Sequence, residues 1–195
     1  MTSSEAQRAP HPQPPLAVVV TGPAGVGKST AAAALARHLG AALLDLDSAT
    51  APLLQVVAGL MGSTDPDDVD LARATRTARY EGMTGLAEDC LRCGTPVVLV
   101  APYTAERTRP AAWAELEARL RQAGGNPSMV WLHAPLDVLR ERILGRAAQR
   151  DSSKLADLQA HLARVDLTPP VVPHLAVDAR LPLDVEGLTA ALRGA

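Results

Sequence analysis

Phenylalanine is missing from this chain, and two lysines stand against seventeen arginines. The bias says little about fold. It does single out Lys28 and Lys154 as positions where a compact ammonium is kept among guanidinium groups. Cysteine is nearly absent too. Cys90 and Cys93 make one C-x-x-C with no second pair, which excludes a four-ligand zinc centre and a disulfide scaffold. They read as small thiols near a helix end, with a redox pair as the alternative, and fit a reducing, cytoplasmic setting. No run of about eighteen apolar residues occurs, so no membrane partner or spanning helix is expected. Residues 1–15 are Pro-rich without the apolar core of an export signal and are expected to be a disordered tail before one domain, 16–195. The net charge of −2 and the lack of a basic run argue against a nucleic-acid partner. None of the five histidines makes metal-ligand spacing with another.

What is there is a glycine-rich loop. Thr21 to Thr30 reads TGPAGVGKST, containing G-x-x-x-x-G-K-S at Gly22, Pro23, Ala24, Gly25, Val26, Gly27, Lys28 and Ser29. The apolar run Leu16–Val20 precedes it and AAAALARHL follows, so strand, loop and helix succeed one another as a phosphate-binding P-loop requires. Glycines let backbone N–H groups approach phosphate oxygens, and the helix N-terminus adds partial positive charge. Lys28 is placed to reach the β- and γ-phosphates, Ser29 to ligate Mg²⁺.

Further along, apolar runs and helical periodicities alternate. Strands are expected at Leu16–Thr21, Ala41–Leu46, Pro96–Ala101, Ser128–His133 and His174–Asp178. Helices are expected at Lys28–Leu39, Ala49–Met61, Asp67–Cys93, Glu106–Ala123, Leu136–Gln149, Ser153–Val165 and Val185–Arg193, with a turn at Gly62–Pro66. Alternation of this kind implies an α/β fold with a parallel sheet covered on both faces. Ligands of such sheets bind beyond the carboxyl ends of the strands.

Asp45 and Asp47 stand two apart at the end of the second expected strand, which would turn both carboxylates to one side. Phosphoryl transfer needs an acid near Mg²⁺ and another to orient the acceptor hydroxyl. Solvated acids, or Asp47 with Ser48 capping the next helix, are the alternative. Arg73, Arg76 and Tyr80 share a helix face, with Arg79 at its margin, and make a candidate acceptor surface. Arg142, Arg146 and Arg150 form a second stripe leading into Arg150-Asp151-x-x-Lys154, suited to phosphate contact. Arg107 and Arg109 are weaker candidates. The third strand ends Val100-Ala101-Pro102 without the acid a motor ATPase uses, and no N-K-x-D guanine signature occurs. D-x-x-G appears only at Asp184–Gly187, in the wrong order for a GTPase.

In GPAGVGKST, VVLVAPYTAER, RDSSKL and PHLAVDA the chain resembles the small P-loop kinases of the shikimate, gluconate and adenylylsulfate group. It is more similar still to bacterial AAA-family ATPases of the zeta-toxin or kinase-like type. The resemblance implies a P-loop NTPase fold with five parallel strands in the order 2-3-1-4-5 and a helical lid near 137–164. It implies ATP and Mg²⁺ as cofactors, Arg142 or Arg146 on ATP, Asp47 as the acceptor-orienting acid and Asp45 on the metal side. The glycine-rich acceptor loop of those kinases is missing after strand three. The expected activity is transfer of a γ-phosphoryl group to a hydroxyl of a small polar metabolite by a monomer or homodimer. The rivals are an ATP-binding regulatory module and a kinase of a macromolecular target.

Overall fold

Uninterrupted apolar and β-branched side chains suit a strand covered on both faces, and Leu16–Thr21 forms such a strand, β1, every residue of it buried. The computed structural model describes residues 13–63, 68–148 and 166–194. After β1 come α1 (Lys28–Leu39), β2 (Ala42–Asp45), α2 (Leu46–Met61), α3 (Val69–Arg92) and β3 (Val97–Val100). Then follow α4 (Thr104–Thr108), α5 (Pro110–Gln122), β4 (Asn126–His133), α6 (Leu136–Ala148), β5 (Leu175–Asp178) and a C-terminal helix, α7 (Val185–Gly194).

The five strands are parallel in the order β2-β3-β1-β4-β5. The expected P-loop NTPase sheet is therefore the observed one. β1 occupies the centre, with Val20 in register with Val100 of β3 and Val130 of β4. Alternate residues of β1 serve two cores. Ala17 and Val19 pack with Met83, Leu91, Trp113 and Leu120 under α3 and α5. Val18 and Val20 pack with Leu35, Leu139 and Leu192 under α1, α6 and α7. Each valine, leucine or methionine among them, fully buried, contributes about 1.5–3 kcal/mol. Together the two cores hold the carboxyl ends of β1, β2 and β3 beside one another.

Several boundaries differ from expectation for local reasons. β2 stops at Asp45 because its side chain accepts the Asp47 N–H at 3.0 Å and caps α2, so Leu46 is helical. The helix expected over Glu106–Ala123 is two helices. Pro110 starts α5 and Arg109 before it is extended at φ −129°, as a residue preceding proline tends to be. β4 begins two residues early and takes in Pro127, which is in register with Ala17 of β1. That is tolerable because β5 joins only from Val130 onward, so no strand flanks Pro127 on its other edge. α3 runs without a break through Gly82 and Gly85.

The expected helix over 153–165, the Arg150–Lys154 motif, most of the 62–66 turn and most of the expected tail lie outside the described residues. Of the expected lid, 137–148 belongs to α6. Among the described residues no helix is long and apolar enough to cross a membrane.

Candidate functional site

At Gly22 and Gly25 the loop between β1 and α1 is pressed against neighbours that leave no room for a side chain. A Cβ on Gly22 would lie 2.5 Å from the Leu132 carbonyl oxygen, and one on Gly25, at φ 78°, would lie 2.6 Å from Cγ1 of Ile143. Gly27 faces open space but caps α1 at φ 98°, a conformation that glycine adopts most readily. Pro23 and Val26 are buried beneath the loop, and Ala24 is exposed at its tip. No side chain caps α1 and its first turn carries no acid. The local field there favours an anion. The Lys28 ammonium curls back over the loop, donating to the Gly22 carbonyl at 3.0 Å and the Pro23 carbonyl at 2.9 Å.

Ser29, exposed in the first turn of α1, donates from Oγ to Oδ2 of Asp45 at 2.7 Å. Asp45 thus reaches the loop while capping α2. Asp47 does not share its direction. It lies in the first turn of α2, 91% exposed, and accepts from Arg79 of α3 at 2.9 Å. The expectation that both acids leave a strand on one side is corrected: the helix starts between them and sends them apart. Arg79, placed at the margin by helical spacing, is the arginine that meets Asp47. It also donates to Thr50 Oγ1 at 2.7 Å and is only 20% exposed. Nothing in the spacing of α3 could have singled it out, since the α2–α3 packing decides which residue faces which. Arg73 is instead a surface residue paired with Asp70 at 3.0 Å.

Arg76 lies over the Tyr80 ring, 4.9 Å from its centroid. The Tyr80 ring meets Tyr103 edge to face at 5.6 Å. Burial lifts both phenols above their ordinary pKa, Tyr103 well above. This wall stands beyond β3, at the segment Ala101-Pro102-Tyr103.

On the other flank, Arg142 of α6 donates to the Val26 carbonyl at 3.2 Å and the Ala179 carbonyl at 2.7 Å. It stitches the loop to the segment after β5 and walls a cavity of about 330 Å³ that also touches Gly27, Thr30, Val177 and Leu181. Arg146 is one turn further along α6; its side chain lies outside the described residues. In the segment after β5, the Arg180 guanidinium, then its backbone amide, hold Asp178 down to about 2.

Arg107 is structural. It is 5% exposed, donates to the Thr168 carbonyl at 2.7 Å, pairs with Asp166 and lies over the Trp131 ring at 5.1 Å. His174 is likewise turned inward, its Nδ1 2.8 Å from the Val172 carbonyl. Cys90 and Cys93 are free thiols. Among the described residues no cluster of three or more His, Cys, Asp or Glu is placed to hold a metal. The Ser29–Asp45 pair beside the loop is nevertheless the donor set expected for Mg²⁺, which takes one or two protein oxygens and completes its shell with phosphate and water.

Solved structures with a similar fold are known. A candidate kinase from Chloroflexus aurantiacus j-10-fl is 27% identical, with a TM-score of 0.68 over 94% of this chain and 97% of its own. A gluconokinase from Sinorhizobium meliloti 1021 shares the fold at 24% identity and a TM-score of 0.56, covering 93% of this chain and 94% of that one. An APS kinase from Mycobacterium tuberculosis, in complex with AMPPNP and APS, does so at 18% identity and a TM-score of 0.58, covering 93% and 99%. No curated protein matches the chain in sequence. The model of the AAA domain family matches residues 18–168. The chain belongs to that family and is a small P-loop kinase-like protein.

Proposed function

We propose that this protein is an ATP- and Mg²⁺-dependent phosphotransferase that moves the γ-phosphoryl group to a hydroxyl of a small polar metabolite in the cytoplasm. The observation that carries the reading is the Ser29–Asp45 contact of 2.7 Å at the mouth of the glycine loop. A phosphate cradle without a nearby acid would bind an anion alone; the acid beside this one supports a bound metal as well. Magnesium held there would draw off negative charge that builds on the phosphate oxygens.

The chain's own residues divide the remaining work. Backbone N–H groups of Gly22 and Ala24–Ser29 and the Lys28 ammonium bind the β- and γ-phosphates, with Pro23 shaping the loop and Lys28 leaving the two loop carbonyls to do so. The cavity beside Arg142 and Thr30 takes the nucleoside, and Arg146, from the same helix, contacts the phosphates. Asp47 orients the acceptor hydroxyl and takes its proton, with Arg79 fixing the carboxylate. Arg76 and Tyr80 line the acceptor side. The protein works as a monomer or homodimer and needs no nucleic acid.

The direct test follows transfer of labelled γ-phosphate from ATP over a metabolite library. Transfer to no small molecule, with tight nucleotide binding retained, defeats the proposal and leaves a nucleotide-binding module or a kinase of larger targets.

A further inference from the structure

On the face of the sheet away from α1 and α6, β4 and β5 leave a cavity of about 370 Å³ that the proposed transfer does not use. Side chains alternate along a strand. Leu132 and Val177 line the cavity beside Arg142, whereas Trp131, His133 and Ala176 line this one. The two cavities lie back to back, with two strands between them. This one exists because of a single register. Trp131 stands opposite Ala176, so a large ring has a methyl group for its neighbour and the space beside the indole stays open. The indole is 2% exposed and carries the Arg107 guanidinium over its ring. Pro135 and Pro169 line the sides. Cavities of this size, with apolar walls and a few convergent polar groups, are where small molecules bind.

Its polar groups stand at two ends. His133 is opposite Asp178 at the carboxyl end of the strands, and both Asp178 oxygens accept from Arg180, which also lines the cavity. That pair engages Nε and Nη2 of the guanidinium and leaves the two N–H donors of Nη1. His174 is at the other end. Its Nδ1 lies 2.8 Å from the Val172 carbonyl. That oxygen can only accept, so Nδ1 carries the proton and Nε2 accepts in the neutral ring. Among the described residues, none that lines the cavity is acidic. His174 precedes Asp178 by four positions, which sets the ends about 13 Å apart along the strands. One aromatic ring with a polar group on each side, and a hydrogen bond beyond each, has that length.

We infer that this cavity is a second ligand site and takes a planar aromatic acid with a hydroxyl opposite the carboxylate. The carboxylate meets Arg180 and His133, and the hydroxyl donates to Nε2 of His174. The ring lies over Ala176 against Trp131, where an aromatic partner gains more than burial alone provides. A cationic ligand would find no open acceptor at the Arg180 end, because Asp178 is committed to Arg180. The site stands independently of the phosphotransfer proposal.

Calorimetric titration of the full chain with 4-hydroxybenzoate tests this, with 4-hydroxybenzyl alcohol and cyclohexanecarboxylate as controls. The aromatic acid should bind one to one, and each control at least tenfold more weakly. Ala176→Leu adds bulk at an exposed position and should abolish binding; Arg180→Gln should weaken it tenfold or more. His133→Gln, with the same tenfold loss expected, replaces either variant that does not fold. Saturating Mg²⁺ and a non-hydrolysable ATP analogue should leave the affinity within twofold, since two strands lie between the cavities. The site is overturned if 4-hydroxybenzoate does not bind, if either control binds as tightly, or if a folded variant binds it like the wild type. Displacement by the ATP analogue also overturns it, because the acid would then lie at the glycine loop. Failure of the analogue itself to bind removes the phosphotransfer proposal and leaves this site standing on the remaining results.

Discussion

Ser29 Oγ donates to Asp45 Oδ2 across 2.7 Å, joining the first turn of α1 to the end of β2. The contact is exposed, so as a structural bond it is worth little, on the order of 0.5–1 kcal/mol. Its position gives it weight. Ser29→Ala and Asp45→Asn should each lower ATP turnover about 100-fold and raise the Mg²⁺ concentration needed for half-maximal rate, with melting nearly unchanged. Steady-state rates over a Mg²⁺ titration check this, and variants with wild-type Mg²⁺ dependence would remove the metal from that pair.

Lys28 is held by two loop carbonyls, which keeps the ammonium over the cradle. Lys28→Ala should weaken Mg²⁺–ATP binding by about 10–100-fold and abolish turnover while the far-ultraviolet dichroism stays the same. Calorimetry that finds equal affinity in the variant contradicts a phosphate role for the loop.

Asp47 and Arg79 are separable. The exposed ion pair contributes at most about 1 kcal/mol to stability. Asp47→Asn should cut phosphoryl transfer about 10²–10⁴-fold and leave ATP affinity alone. Arg79→Gln should have the smaller effect on rate, because it only steadies the carboxylate. A single-turnover measurement on both variants decides the order.

Two glycines should differ sharply. Gly22→Ala drives a Cβ to 2.5 Å from the Leu132 backbone oxygen, and neither strand can retreat; a loss of about 2–3 kcal/mol is expected. Gly40→Ala meets nothing within 4 Å and suffers only from φ 61°, about 1 kcal/mol. Urea denaturation of the two variants measures the difference.

The Asp178 carboxyl is held down to about 2 from an ordinary 3.8 by Arg180. A depressed folded-state pKa stabilises above the unfolded value, and that contribution disappears as pH falls from about 4 toward 2. Arg180→Gln should therefore lie below wild type in melting temperature at pH 6 and converge with it near pH 2. Parallel curves over that range would show the pair to be without effect.

Much of the architecture was legible because it depends on patterns a few residues long. Leu16–Thr21 has to be a buried strand, and Gly22 to Ser29 has to be a phosphate loop, since only those residue types allow the backbone to turn inward. Gly40 closing α1 belongs to the same class. The break at Pro110 was also written in the chain, but the helical pattern on both sides of it invites a single long helix.

What the sequence could not decide is who faces whom. Asp45 and Asp47 look equivalent until a side-chain cap starts α2 between them, and then one meets Ser29 and the other Arg79. Arg107, a weaker candidate by sequence, is laid on Trp131 and tied to Thr168 by the fold. Residue type and spacing set the local conformation, because backbone sterics and hydrogen bonding act over a few residues. Partners from distant helices are set by the packing of α2 on α3 and of β3 beside β1, where many weak contacts must be satisfied together, and no short stretch of sequence carries that information.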